Sequence, residues 1–250
     1  MRPKSDNEIQ VMRDGGKMLA TVLDLLSKRI APAMSTKELS DIATKEVRAL
    51  GGQPAFLNHD NFPESLCVSI NQELVHGLPS PKRIIKEGDV VGLDFGVMYK
   101  SLVTDGATTV FVGAKPKPEI KRLLAGTQKA LDAGIRALHG NGTRVGDISS
   151  AVQQTLDLYN LGVIRDLVGH GVGDQIHEEP NIPNYGVAGT GPVLSTGMTV
   201  CIEPMASLGD WLIDVAKDGW TVVMRDGSIG AHYEHTVLIT EQGCEILTAL

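Results

Sequence analysis

Gly88-Asp89-Val90-Val91-Gly92-Leu93-Asp94 is a β-branched, apolar run that opens on glycine and ends on a carboxylate. It reads as a strand that delivers an acid to one end of a sheet. Gly197-Met198-Thr199-Val200-Cys201-Ile202-Glu203 repeats the form and the acidic end. Other pieces recur around these two. Glu73-Leu74-Val75-His76 aligns with Asp174-Gln175-Ile176-His177, which sets His76 against His177. Ser35 to Glu38 reads as a helix capping box, and Thr143 takes the similar place before a later helix. The expectation is one domain over 1–250 made of two related halves, about 1–113 and 114–250, meeting across a pseudo-two-fold axis. The alternative is coincidence between short motifs. A solenoid is disfavoured, because two copies of roughly a hundred residues are too few and too long for that class.

The first repeat shows the chemistry. Asp105 follows Asp94 by eleven residues and leads into Thr108-Thr109-Val110-Phe111-Val112. A hairpin whose turn centres on Tyr99-Lys100 sets the two aspartates opposite each other, with Cβ atoms roughly 4.5–5.5 Å apart. Two facing carboxylates in an apolar ladder are costly unless a cation holds them. The other readings are two solvent-facing aspartates on an edge, or a shifted register. Asp94, Asp105, His170, Glu203 and Glu234 together form a set suited to a pair of divalent ions, which needs mostly carboxylates, some of them bridging, and a nitrogen donor. Imidazole with carboxylate suits Zn, Fe(II), Co or Mn better than Mg or Ca.

Periodicity supplies the rest of the frame. A helix capped by Ser5 and Glu8 carries Ile9, Met12, Leu19, Leu23 and Leu26 on one face, and a second spans about 35–50 before Gly51-Gly52. Pro118 opens a third helix that runs to about His139, and a fourth spans about 145–160. Asp226-Gly227 reads as a hairpin turn before the strand of Glu234. Helices and then strands, twice over, predict an α+β fold with helices packed on the outer face of a largely antiparallel sheet. The net charge of −7 argues against a nucleic-acid substrate. No apolar run reaches the length of a membrane span, and the N-terminus lacks the apolar core of a signal peptide. Three cysteines without a CxxC pair, Cys67, Cys201 and Cys244, suggest reduced thiols and a cytoplasmic setting.

These residues fall into a recognisable pattern. Cys67-Val68-Ser69-Ile70-Asn71, Val75-His76-Gly77-Leu78-Pro79, the two aspartate strands, Gly169-His170-Gly171-Val172-Gly173, His177-Glu178-Glu179-Pro180, Ile202-Glu203-Pro204-Met205 and Tyr233-Glu234-His235-Thr236 together span nearly the whole chain. In them the chain resembles the type I methionine aminopeptidases, in their short bacterial form, which have the pita-bread (creatinase/aminopeptidase) fold. The short run between Glu203 and Glu234 leaves no room for the insertion of type II members.

The resemblance implies a metalloaminopeptidase that removes the initiator methionine of nascent proteins when the second residue is small. By it, Asp94 chelates one ion, His170 and Glu203 hold the other, and Asp105 and Glu234 bridge the two. A bridging water or hydroxide would attack the first peptide bond, Glu203 would carry the proton to the leaving amine, His177 would bond the developing oxyanion, and His76 would contact the scissile nitrogen. Phe62, Cys67, His76, Ile176 and Trp220 would line the methionine pocket; core packing is the competing reading for Phe62, Cys67 and Ile176. The family suggests a monomer, with a transient ribosome contact where its substrate appears. Ile176, Asp60, Ser101 and Gly106-Ala107 depart from the commoner family residues. His59, His139, His232 and His235 are assigned no direct chemistry, and Glu178 and Glu179 are read as supporting residues. Two other functions are compatible with such a fold: a peptidase that cleaves before proline, and a metal-free peptide- or ribosome-binding protein that has lost its ligands.

Overall fold

The computed structural model describes residues 1–250. Its helices follow local signals. Helix α1, Asp6–Arg29, starts where the Glu8 carboxylate accepts the Ser5 backbone N–H at 2.8 Å. Helix α2, Thr36–Ala49, starts where Ser35 Oγ accepts the Glu38 N–H at 3.1 Å. Each bond satisfies a backbone group that the first helical turn leaves without a partner. Helices α3, Pro118–Arg136, and α4, Val145–Leu158, form the second pair. Thr143 is not the cap of α4. Its hydroxyl donates to Gly140 O at 2.8 Å and closes the preceding turn, while Asp147 caps the helix by accepting the Arg144 N–H at 2.9 Å.

A nine-stranded sheet carries both helix pairs, with every pairing antiparallel. Its middle runs Val90–Tyr99, Leu102–Phe111, Glu234–Ile239, Thr199–Ile202. The first two strands are one hairpin. The second two are its counterpart, and the two pairs meet where Glu234 faces Ala107. Alternation along the strands then decides which side chains reach which face. Val91, Leu93, Phe95 and Val97 pack with Leu19, Leu26, Leu39 and Val47 of the first helix pair. Val200, Ile202, Val237 and Ile239 pack with Leu123, Leu131, Ile148 and Val152 of the second. The residues between them, Asp94, Cys201, Glu234 and Thr236, are thereby turned to the opposite face, together with Glu203 at the end of its strand.

Two local expectations are corrected. In the hairpin Asp94 pairs with Ala107, and Asp105 pairs with Gly96. The turn is Lys100-Ser101, both left-handed at φ 46° and 68°, the backbone twist that suits a two-residue antiparallel turn. The pairing moves by two residues, so both aspartates keep a common face as diagonal neighbours. Asp226-Gly227 is a turn, with Gly227 N bonded to Met224 O at 3.0 Å, but it closes no hairpin. Val222–Met224 pairs with Ile213–Val215 and Glu73–Val75, whereas Gly230–His232 pairs with Met205–Ser207. The Asp226 carboxylate accepts from Asp210 N at 2.8 Å and from Ser228 N at 2.9 Å, so this aspartate ties two loops together.

Candidate metal centre

The face of the sheet turned away from the helices floors a cavity of about 500 Å³. Asp94, Asp105, His170, Glu203 and Glu234 all line it. His170 Nε2 stands 3.3 Å from Glu203 Oε1, and His170 Nδ1 lies 2.9 Å from Gly171 O, which aims Nε2 at the acids. Asp105, His170, Cys201 and Glu234 present donor atoms all within 4.8 Å of one another, and so do Glu203, His232 and Glu234. Asp94 lines the same cavity outside both tight sets. Below this layer Thr236 Oγ1 accepts the Asp105 N–H at 2.9 Å and donates to Asp105 O at 2.8 Å. It also lies 3.6 Å from Cys201 Sγ. The strands of Asp105 and Glu234 are thus joined by hydrogen bonds directly under the acids.

Four buried carboxylates in one cleft repel one another, and no permanently charged cation offsets them. No lysine or arginine lines the cavity. Burial, with the like charges of Asp105 and Glu203, pushes the Asp94 carboxyl well above its ordinary value. Burial and Glu203 raise Asp105 to about 7, and burial raises Glu203 to about 7 against the pull of His170. Glu234 is raised for the same reasons. Burial acts on the histidines in the other sense, holding His170 and His177 below the usual imidazole value and His232 at about 3. Asp94 Oδ1, Glu234 Oε1 and His232 Nε2 are buried with no hydrogen-bond partner. Neutral imidazoles, crowded acids and orphaned donor atoms are what a divalent cation requires. The donor set therefore fits metal.

The remaining sequence-identified residues line the same cavity. His177 stacks edge-on to His170 with ring centroids 4.5 Å apart. His76 has a left-handed backbone at φ 56°, a strained conformation for a non-glycine residue that concentrates at functional sites. Phe62 and Trp220 meet edge to face at 5.2 Å, and Cys67 and Ile176 complete an apolar side. Glu178 Oε1 accepts from Asp174 N at 2.7 Å and Gln175 N at 3.0 Å, bracing the loop that carries Ile176 and His177. His235 points to the other face, with Nδ1 2.9 Å from Thr248 Oγ1. Phe56, His59 and His232 also line the cavity, although sequence motifs assigned them no role in it. Phe56 and His59 belong to a loop without periodicity, and Gly96 leaves the space that Phe56 fills, since a Cβ there would sit 2.6 Å from its ring. His232 did carry a signal: two residues before Glu234, strand alternation puts both on one face.

Comparison with known proteins agrees with this geometry. Residues 10–241 match the model of metallopeptidase family M24. A methionine aminopeptidase of Aquifex aeolicus is 43% identical over 255 residues, covering 98% of each chain. The crystal structure of a Thermotoga maritima methionine aminopeptidase superposes with a TM-score of 0.97 at 44% identity over 100% of both chains. A prolidase from Pyrococcus furiosus, 24% identical, shares the fold with a TM-score of 0.80, and the match spans 65% of its length. The architecture is the pita-bread fold.

Proposed function

The chain belongs to metallopeptidase family M24, and from that premise we propose how its cleft removes an N-terminal methionine by hydrolysis. The observation that carries the proposal is the cluster of four buried carboxylates with imidazoles and no lysine or arginine to balance it. Asp94, Asp105, His170, Glu203 and Glu234 would hold two divalent ions of the Mn, Fe(II), Co or Zn type. Such ions, when bound, polarise the scissile carbonyl and make water acidic enough to attack it.

The chain's own groups do the rest. The imidazole of His177, kept neutral by its surroundings, offers an N–H to the carbonyl oxygen as charge develops there. His76, on the facing loop, contacts the scissile nitrogen. Glu203 is at the centre of the acids and is the group to take a proton from water and return it to the leaving amine. Phe62, Cys67, Ile176 and Trp220 give an apolar wall that suits a thioether side chain. The catalytic unit is the single domain 1–250, with halves 1–113 and 114–250 each supplying acids and one of the two facing histidines. The substrates are new protein N-termini whose second residue is small, which places the enzyme in the cytoplasm, as a monomer in transient contact with the ribosome. No helix is long and apolar enough to cross a membrane.

The test is release of free methionine from Met-Ala-Ser by chelator-stripped protein, titrated with Mn, Co, Fe(II) and Zn, beside an Xaa-Pro peptide. Activity that returns with metal and disappears in Glu203→Ala supports the proposal. Cleavage of the Xaa-Pro peptide alone moves the reading to a prolidase. Silence without metal uptake moves it to a non-catalytic binding protein.

A further inference from the structure

His232 is fully enclosed, and the chain fixes it from several sides. Its backbone N–H donates to Thr109 Oγ1 at 3.0 Å, and its carbonyl accepts from the same hydroxyl at 2.6 Å. The next residue, Tyr233, donates its hydroxyl to Thr109 O at 2.6 Å. On the other side His232 pairs with Met205. The ring so held points Nε2 at two acids, 3.3 Å from Glu203 Oε2 and 3.7 Å from Glu234 Oε2. That nitrogen has no hydrogen-bond partner. The Glu203 carboxylate is therefore bracketed by two imidazoles, His170 at Oε1 and His232 at Oε2, each at 3.3 Å.

These separations have a chemical meaning. Donor atoms that share one ion, each ~2.0–2.2 Å from it, stand roughly 3.0–3.5 Å apart; His232 Nε2 and Glu203 Oε2 do so at 3.3 Å, and Glu234 Oε2 stands just beyond, at 3.7 Å. Glu203, His232 and Glu234 are one of the two groups in the molecule whose donor atoms cluster this closely. We propose that His232 is a further metal ligand, an imidazole that shares a divalent ion with Glu203 and Glu234. The inference rests on the reading of the cleft as a divalent-metal centre and adds a second nitrogen donor to it. A second nitrogen donor among the carboxylates favours the borderline ions, Zn, Co and Fe(II), over the harder Mn.

The experiment counts imidazoles directly. Chelator-stripped protein is loaded with Co(II) in water, and the hyperfine-shifted, solvent-exchangeable imidazole N–H resonances are recorded by proton NMR. The expected result is two such resonances, one lost in His232→Gln and the other in His170→Gln. His232→Gln also weakens Co(II) binding measured by calorimetry, by about 10- to 100-fold or more. His232→Asn serves as a second, smaller replacement, and the wild-type count stands even where a variant folds poorly. A single resonance in the wild type that persists in His232→Gln overturns the inference alone and reduces His232 to a hydrogen-bond donor for the acids. No Co(II) uptake by the wild type overturns it together with the reading it rests on.

Discussion

Replacing Asp105 by asparagine in the metal-free protein should make the fold more stable, by an amount that grows with pH. Asp105 is 3% exposed, and its carboxyl is held at about 7 by burial first and by Glu203 second, against the hydrogen bond from Gly106 N. In the unfolded chain an aspartate ionises near 4. Because the folded state binds this proton more tightly, ionisation destabilises the fold progressively from about pH 4 to about pH 7, by about 1.4 kcal/mol per pH unit, and then levels off. The penalty is roughly 1–2 kcal/mol at pH 5 and roughly 4 kcal/mol at pH 8. Asparagine never ionises, and its carbonyl oxygen can still accept the Gly106 N–H that Asp105 Oδ1 accepts at 2.9 Å. The variant also relieves the neighbouring acids of one like charge, which acts in the same direction. For a chain of this size the gain at pH 8 corresponds to a rise of about 8–16 °C in Tm. The assay is thermal unfolding of chelator-stripped wild type and Asp105→Asn at pH 5 and pH 8, repeated with saturating Mn(II). With metal the order should reverse at pH 5 and the gap at pH 8 should narrow to roughly 1–2 kcal/mol, because the wild type gains about 2.7 kcal/mol at a hundredfold excess over Kd and the variant has lost one carboxylate of the proposed metal site. A stripped variant no more stable than wild type at pH 8, or a gain equal at both pH values, refutes the reasoning.

Three further outcomes follow from the same geometry. His177→Ala should lower turnover of Met-Ala-Ser by roughly 100- to 1000-fold while metal content by elemental analysis stays at the wild-type level; unchanged turnover removes His177 from the oxyanion role. Trp220→Ala opens the apolar wall against Phe62 and should raise KM for methionyl peptides by about tenfold or more, for a contact of 1–3 kcal/mol, with little loss of stability because Trp220 is only half-buried; equal KM values place the pocket elsewhere. Lys4 is enclosed, and its ammonium lies 2.9 Å from Asp174 and 3.9 Å from Glu178, so Lys4→Met should loosen the loop that holds Ile176 and His177. The expected signature is faster amide exchange at residues 174–178 and a fall in kcat, and protection identical to wild type argues against the clamp.

The helices were legible because their signals are local. Ser5 with Glu8 and Ser35 with Glu38 are each complete within four residues, and the structure uses both. The hairpin register was not, because it depends on the left-handed backbone at Lys100 and Ser101, which neither side chain announces. The shared face of the two aspartates survived that error only because the pairing moved by two residues. Asp226-Gly227 misled for a related reason: the turn exists, but the strands on either side of it pair with Ile213–Val215, Glu73–Val75 and Met205–Ser207, partners distant in sequence that a local turn signal does not specify. The four acids and the histidine that line the cavity, Asp94, Asp105, Glu203, Glu234 and His170, were found through motifs. The same motifs hid His232, which strand alternation alone would have placed beside Glu234.

The position of the cleft follows from the meeting of two strand pairs in the middle of the sheet. Asp94 lies within the strand Val90–Tyr99 and Glu203 directly follows Thr199–Ile202, and the next strand toward the junction carries a second acid in each case, Asp105 and Glu234. Unpaired, each strand pair would present its two acids near a sheet edge open to water, where they would stay solvated. When the edges pair, at Glu234 with Ala107, the four acids share one buried floor and lose their water together. The hydrogen bonds between Thr236 and Asp105 make that pairing and the placement of the acids a single structural event. The apolar residues that alternate with the acids pack the two helix pairs behind the sheet, and their burial offsets the repulsion in the cleft. The same period-two pattern thus builds the core on one face and strains the other until a cation enters. In such a design metal binding and stability must be coupled, and any substitution that relaxes the metal-free fold at this floor is expected to weaken the enzyme.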